Sequence, residues 1–179
     1  MSKLLLIISC FFLMSSVCVE SIYTHSVTSI EGTNKPLNAY QGKKLLIVTL
    51  PIQQNPSSDS LLHSLDSIRM VYAGSLVIIG VPAYEDGYTA AMKESLKQWY
   101  RSILNMDIIV TEGLYTRKTS GSQQHPLFKW LTDKNRNDHF DEDVNGPKNK
   151  FIVWTTGELI AVLGPFTKIG GNTINALLQ

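Results

Sequence analysis

The sequence predicts an α/β fold: one central mixed sheet flanked by helices, with a β-hairpin at its N-terminal side. Lys44 to Leu50 (KLLIVTL) and Ser75 to Val81 (SLVIIGV) are nearly continuous apolar runs, the pattern of strands buried on both faces of a sheet. A stretch with helical spacing follows each run. Near the C-terminus, Phe151 to Trp154 and Leu159 to Leu163 flank Thr155-Thr156-Gly157-Glu158, a hairpin signal.

The first segment, Met1 to about Ser21, reads as a cleavable signal peptide. Lys3 is a short basic region, Leu4 to Met14 an apolar core, and Ser15, Ser16 and Cys18 are small residues. The core is too short to cross a hydrocarbon layer of roughly 30 Å as a stable helix. Cleavage after Cys18 or after Ser21 fits the pattern. Anchoring through a lipid on Cys10 or Cys18 is the alternative. Both cysteines of the chain lie here, so a mature chain from residue 22 onward has no thiol and no disulfide. Its expected location is periplasmic or secreted, or membrane-attached if lipidated. Residues 22–179 form one domain, long enough to bury roughly 70% of the unfolded surface without covalent staples.

Net charge is +1, with no basic or acidic block. That argues against nucleic acid and anionic membranes as partners, and Arg117-Lys118 and Lys148/Lys150 read as a solvated loop and a strand start. There is no internal repeat and no low-complexity linker.

After the first buried run comes Pro51-Ile52-Gln53-Gln54-Asn55-Pro56, then a helix opened by Ser57, Ser58 and Asp59, whose side chains suit capping. Leu61, Leu65, Ile68 and Tyr72 give it one apolar face. The helix after the second run carries Met92, Leu96, Trp99 and Ile103 at the same spacing, and these read as core. Asp107 to Thr111 is a short strand and Glu112 to Gln124 a polar loop, of which Tyr115 to Gln124 reads as mobile surface, able to contact a partner. His125 to Asp133 is a short helix with Pro126 in its first turn and His125 as its cap. Gly171 to Leu178 is the last helix. This order of elements is the thioredoxin arrangement.

Several stretches resemble the glutathione peroxidases. Ser26 to Gly32 followed by Leu37 to Val48, with Tyr40-Gln41-Gly42-Lys43, is similar to that family's opening hairpin, turn and first core strand. Ile79-Gly80-Val81-Pro82 is similar to its strand ending in Gly-Phe-Pro. Gln124-His125-Pro126-Leu127-Phe128-Lys129-Trp130-Leu131 resembles its His-Pro-Leu helix, and Gly164-Pro165 matches a Pro-containing segment before its final helix. The resemblance covers most of residues 22–179 and implies a thioredoxin-like fold of the glutathione-peroxidase type.

It also implies a hydroperoxide reductase acting in oxidative stress. That chemistry needs a thiolate or selenolate to attack the O–O bond, placed where a strand turns into a helix and free amides lower its pKa. Aligned on the resemblance, Gln54 stands where the nucleophile belongs. Thr89 falls on the glutamine that would orient it, Gly146-Pro147 on the family's Trp-Asn pair, and no resolving cysteine remains. Trp154 lies nearby, on the strand, where it reads as core. The expectation is a pseudoenzyme: no catalytic residue, no cofactor, and a vestigial cleft around Pro51 to Pro56, Tyr84 to Thr89 and Gly146-Pro147 open to a protein partner or small ligand.

Other chemistry finds little footing. Asp141, Asp143, Asn145 and Gly146 match the first half of a Ca²⁺ loop, but Ile152 stands where a bidentate Glu is required, so Asp138 to Gly146 reads as a solvated acidic turn. His25, His63, His125 and His139 show no metal-ligand spacing. There is no G-x-S-x-G, and Gly170-Gly171 lacks the spacing of a phosphate cradle.

Overall fold

A computed structural model describes residues 20–179; most of the expected leader, with Cys10 and Cys18, lies outside them. After a short 3-10 turn, Ile22–Thr24, strands β1 (Ser26–Thr28) and β2 (Asn34–Pro36) form the N-terminal antiparallel hairpin. Then follow β3 (Lys44–Leu50), α1 (Pro56–Val71), β4 (Leu76–Pro82), α2 (Lys93–Ile103) and β5 (Ile109–Val110). The chain continues through α3 (Pro126–Thr132), α4 (Lys134–Asn137), β6 (Lys150–Val153), β7 (Leu159–Leu163) and α5 (Asn172–Leu178).

The main sheet has the order β5-β4-β3-β6-β7. The β3–β4 and β4–β5 pairs are parallel; β3–β6 and β6–β7 are antiparallel. Every residue of β3 and β4 is buried, which explains their unbroken apolar sequence. Alternate side chains feed separate cores. Leu46, Val48 and Leu50 pack with Leu62, Leu65 and Ile68 of α1, with Trp99 and Tyr100 of α2, and with Ile174 of α5. Leu45 and Ile47 face the other way, onto Phe128, Trp130 and Leu131 of α3 and onto Ile22 and Leu37. Each such side chain removed from water contributes about 1.5–3 kcal/mol. Gly80 breaks the apolar run of β4 because Leu50 covers it: a Cβ there would lie 2.7 Å from Leu50 Cδ1.

Several local expectations shift. The cap of α1 is Asn55, whose Oδ1 accepts from Ser58 N at 3.0 Å, with Pro56 opening the helix; Ser57, Ser58 and Asp59 lie inside it. Its buried face is Leu62, Leu65 and Ile68, with Leu61 and Tyr72 at the margin. In α2 the buried residues are Leu96, Trp99 and Tyr100, while Met92 and Ile103 are only partly covered. His125 caps α3 as expected, Nδ1 accepting from Leu127 N.

The 115–124 loop is pinned, contrary to its mobile reading. The Glu85 carboxylate accepts from the amides of Thr116 and Arg117 at 2.8 Å and from Ser120 Oγ at 2.6 Å. Burial pushes this carboxyl upward, but those hydrogen bonds outweigh it and hold the pKa below the usual value. Trp154 lies just past β6, half-buried, with the Lys44 ammonium 3.9 Å from its ring centre. Lys150 opens β6, as the strand-start reading expects, and is 1% exposed. Among the described residues, no helix is long and apolar enough to cross a membrane.

Candidate functional site

The cleft lies where β3 hands over to α1. A second segment, 146–149, braces the end of β3: Asn149 N donates to Thr49 Oγ1 at 2.9 Å, Thr49 Oγ1 to Gly146 O at 3.0 Å, and Lys148 N to Thr49 O at 2.7 Å. From behind, the buried Tyr100 hydroxyl donates to Pro51 O at 2.8 Å. The turn is thereby fixed at both ends. Gly87 brings a third segment close: its φ of +97° strains any other residue, and an ideal Cβ there would lie 3.2 Å from Ile52 Cδ1, a tight contact.

These segments enclose a cavity of about 460 Å³ lined by Pro51, Ile52, Gln53, Asn55, Asp86, Pro147 and Lys148, with Ser57 and Ser58 beyond. The expected cleft is therefore partly right. The turn and Pro147 line it, but Gln54 is exposed and not among the lining residues. Thr89 is exposed as well, preceding a 3-10 turn at Ala90–Met92. From Tyr84 to Thr89, only Asp86 reaches the cavity wall.

Asp86 and Lys148 are the charged groups that sequence reasoning missed. The Asp86 side chain is 8% exposed; one oxygen accepts from Arg117 Nη2, and the other is buried without a hydrogen-bond partner. Burial, reinforced by Glu85, raises its pKa despite the Arg117 guanidinium. Lys148 sits at φ +71°, a region uncommon for any residue but glycine, and its ammonium donates to Ser57 Oγ at 2.8 Å. The cleft is thus dipolar, with a carboxyl on one wall and an ammonium on another. Among the described residues, its lining offers hydrogen-bonding groups and charges but no thiol.

The remaining sequence candidates have local partners. Asp141 Oδ1 accepts from Lys118 Nζ at 2.7 Å, and Asp143 Oδ1 from the amides of Lys118 and Val144. The histidines are less scattered in space than in sequence: burial, then the proximity of His25, lowers the His125 imidazole to about 4. Among the described residues, no group of three or more His, Cys, Asp or Glu could hold a metal ion.

This architecture, a mixed five-stranded sheet between helices with an N-terminal hairpin, defines a thioredoxin-like fold. It aligns with the crystal structure of Trgpx in apo form (TM-score 0.64, 19% identity, 88% of this chain and 93% of that one). A similar match is T. cruzi GPX1 (TM-score 0.63, 15% identity, 89% of this chain and 95% of that one). In sequence, the chain is 23% identical over 145 residues to glutathione peroxidase 2 of Sapajus apella, spanning 76% of this chain and 73% of that protein. No family model matches. The chain has a thioredoxin-like fold and is similar in sequence to a glutathione peroxidase.

Proposed function

We propose that the chain is an exported pseudoenzyme, a glutathione-peroxidase-like scaffold that acts by binding a small ligand or a protein at the cleft between Pro51–Asn55, Asp86 and Pro147–Lys148. The observation that carries this reading is the cleft's chemistry. The residue aligned with the nucleophile is Gln54, an exposed amide, and residues 20–179 include no cysteine. The cleft walls offer polar recognition in place of reducing power, and the turn is held rigidly enough to present them. The export part rests on the leader grammar of residues 1–21, with lipid attachment through Cys10 or Cys18 as its variant.

The competing reading is a hydroperoxide-reducing peroxidase, favoured by the resemblance to glutathione peroxidase 2. It would require Cys10 or Cys18 to be retained and brought to peroxide, since residues 1–179 contain no other cysteine. Purified processed protein, incubated with hydrogen peroxide or a lipid hydroperoxide and a thiol reductant, separates the two. The expected result is consumption no faster than with a heat-treated control; turnover above that control overturns the pseudoenzyme reading. Gln54→Cys should restore little activity, because the aligned glutamine, tryptophan and asparagine are replaced too and general positioning effects are each worth orders of magnitude in rate.

A further inference from the structure

Beside the cleft, and sharing Ser57 and Lys148 with it, lies a second cavity of about 340 Å³. We infer that this second cavity binds the phosphate group of a small organic phosphate ester, with Lys148, Lys150 and Lys168 holding the anion and Phe166 covering the organic part. The inference goes beyond the reading above and does not depend on it: a peroxidase result would leave it standing.

The charge balance of the cavity is one-sided. Lys148, Lys150 and Lys168 line it and no aspartate or glutamate does. Among the described residues, none of these lysines forms an ion pair, although seven other Lys and Arg residues do. Lys150 is the clearest case. It is 1% exposed, and its ammonium donates to the carbonyls of Gly164 at 3.1 Å and Pro165 at 3.4 Å. Those carbonyls satisfy hydrogen bonds but bring no countercharge, and a buried ion without one is costly. Burial and the nearby Lys148 accordingly bring its pKa down to about 8. Lys148 is itself held in the left-handed region, where the backbone directs its ammonium toward the first turn of α1.

Phosphate suits this set better than carboxylate. The cations are lysines, compact point charges, where planar carboxylates are matched by the arginine fork. A dianion answers more of the excess charge, and the hydroxyls of Ser57 and Ser60 add donors. The helix end itself adds little: Pro56 has no N–H, and Ser58 N is taken by Asn55. Phe166, 95% exposed at the margin, offers an aromatic surface to whatever carries the phosphate.

Isothermal titration at fixed ionic strength tests this with phenyl phosphate, sodium phosphate and sodium benzoate, beside sedimentation with phosphatidylcholine vesicles with and without phosphatidic acid. Saturable binding of phenyl phosphate, with benzoate at least about tenfold weaker, is expected. Binding only to vesicles containing phosphatidic acid would place the same phosphate chemistry on a lipid. Lys148→Gln with Lys168→Gln, both accessible positions that leave the buried Lys150 in place, should weaken whichever binding is seen by about a hundredfold, roughly tenfold per charged contact. Phe166→Ala should weaken phenyl phosphate and leave inorganic phosphate unchanged. No saturable binding of ester or vesicle below about 10 mM, benzoate binding as tightly as the ester, or equal affinity in a double variant that circular dichroism shows to be folded would overturn the assignment.

Discussion

His125 shows how a single side chain ties local geometry to solution behaviour. Its Nδ1 must be unprotonated to accept from Leu127 N, and burial holds the imidazole at about 4 against an ordinary 6.5. Between those values the unfolded chain takes up a proton that the native chain refuses. Stability therefore falls as pH drops from about 6.5 to about 4, and this contribution levels off below that. His25, lowered by burial as well, adds in the same direction. Denaturant unfolding between pH 4 and 7 should show the slope, and His125→Asn, which can still cap α3, should flatten it. An unchanged slope would refute the role given to His125. Lys150 teaches a complementary lesson. The sequence marks it as the start of a strand, but its charge does not announce that its place opposite Val48 and Leu163 puts it inside the sheet.

At the scale of the element, the strands were the most legible part of the chain. Strands β3 and β4 are buried on both faces, so their sequences are apolar at every step and no competing pattern fits. Helix faces were less so: Leu61 and Leu62 are adjacent, spacing alone does not decide which turns inward, and the sheet beneath chooses Leu62. The turn of the cleft was also readable, since a strand, a short Pro-bounded segment and a helix mark it. Its charged walls were not. Lys148 meets Ser57 across 91 positions and Arg117 meets Asp86 across 31, and no local pattern encodes such meetings. The 115–124 loop is the sharpest disagreement, because its polar composition signals mobility while one distant carboxylate fixes it. Glu85→Ala should leave two amides without acceptors and destabilise the protein by about 2–3 kcal/mol. Urea unfolding measures the loss, and trypsin should cut after Arg117 or Lys118 faster than in the parent. Unchanged cleavage would mean that the loop is held by other contacts.

Over the whole molecule, the described chain begins with a clasp. Glu20 offers its carbonyl to Trp130 Nε1 at 2.5 Å and its carboxylate to Arg136 at 2.8 Å, so the last residues of the expected leader are tied to α3 and α4. Of the cleavage positions the leader allows, the one after Cys18 keeps this clasp and the one after Ser21 removes it. A chain starting at Val19 should be about 1–2 kcal/mol more stable than one starting at Ile22, judged from the hydrogen bonds lost, one of them to a charged pair. Equal thermal melting of the two would show that the clasp contributes nothing.

The central position of β3 carries one more consequence, for how the chain acquires its shape during synthesis. Its two sheet neighbours are translated far apart: β4 follows it closely, whereas β6 ends at Val153. One edge of β3 must therefore wait, unpaired, until most of the polypeptide has emerged. Long-range pairing of this kind slows folding. In a protein that we propose crosses a membrane, such delay keeps the sheet open, and the chain threadable, until nearly all of it has been delivered.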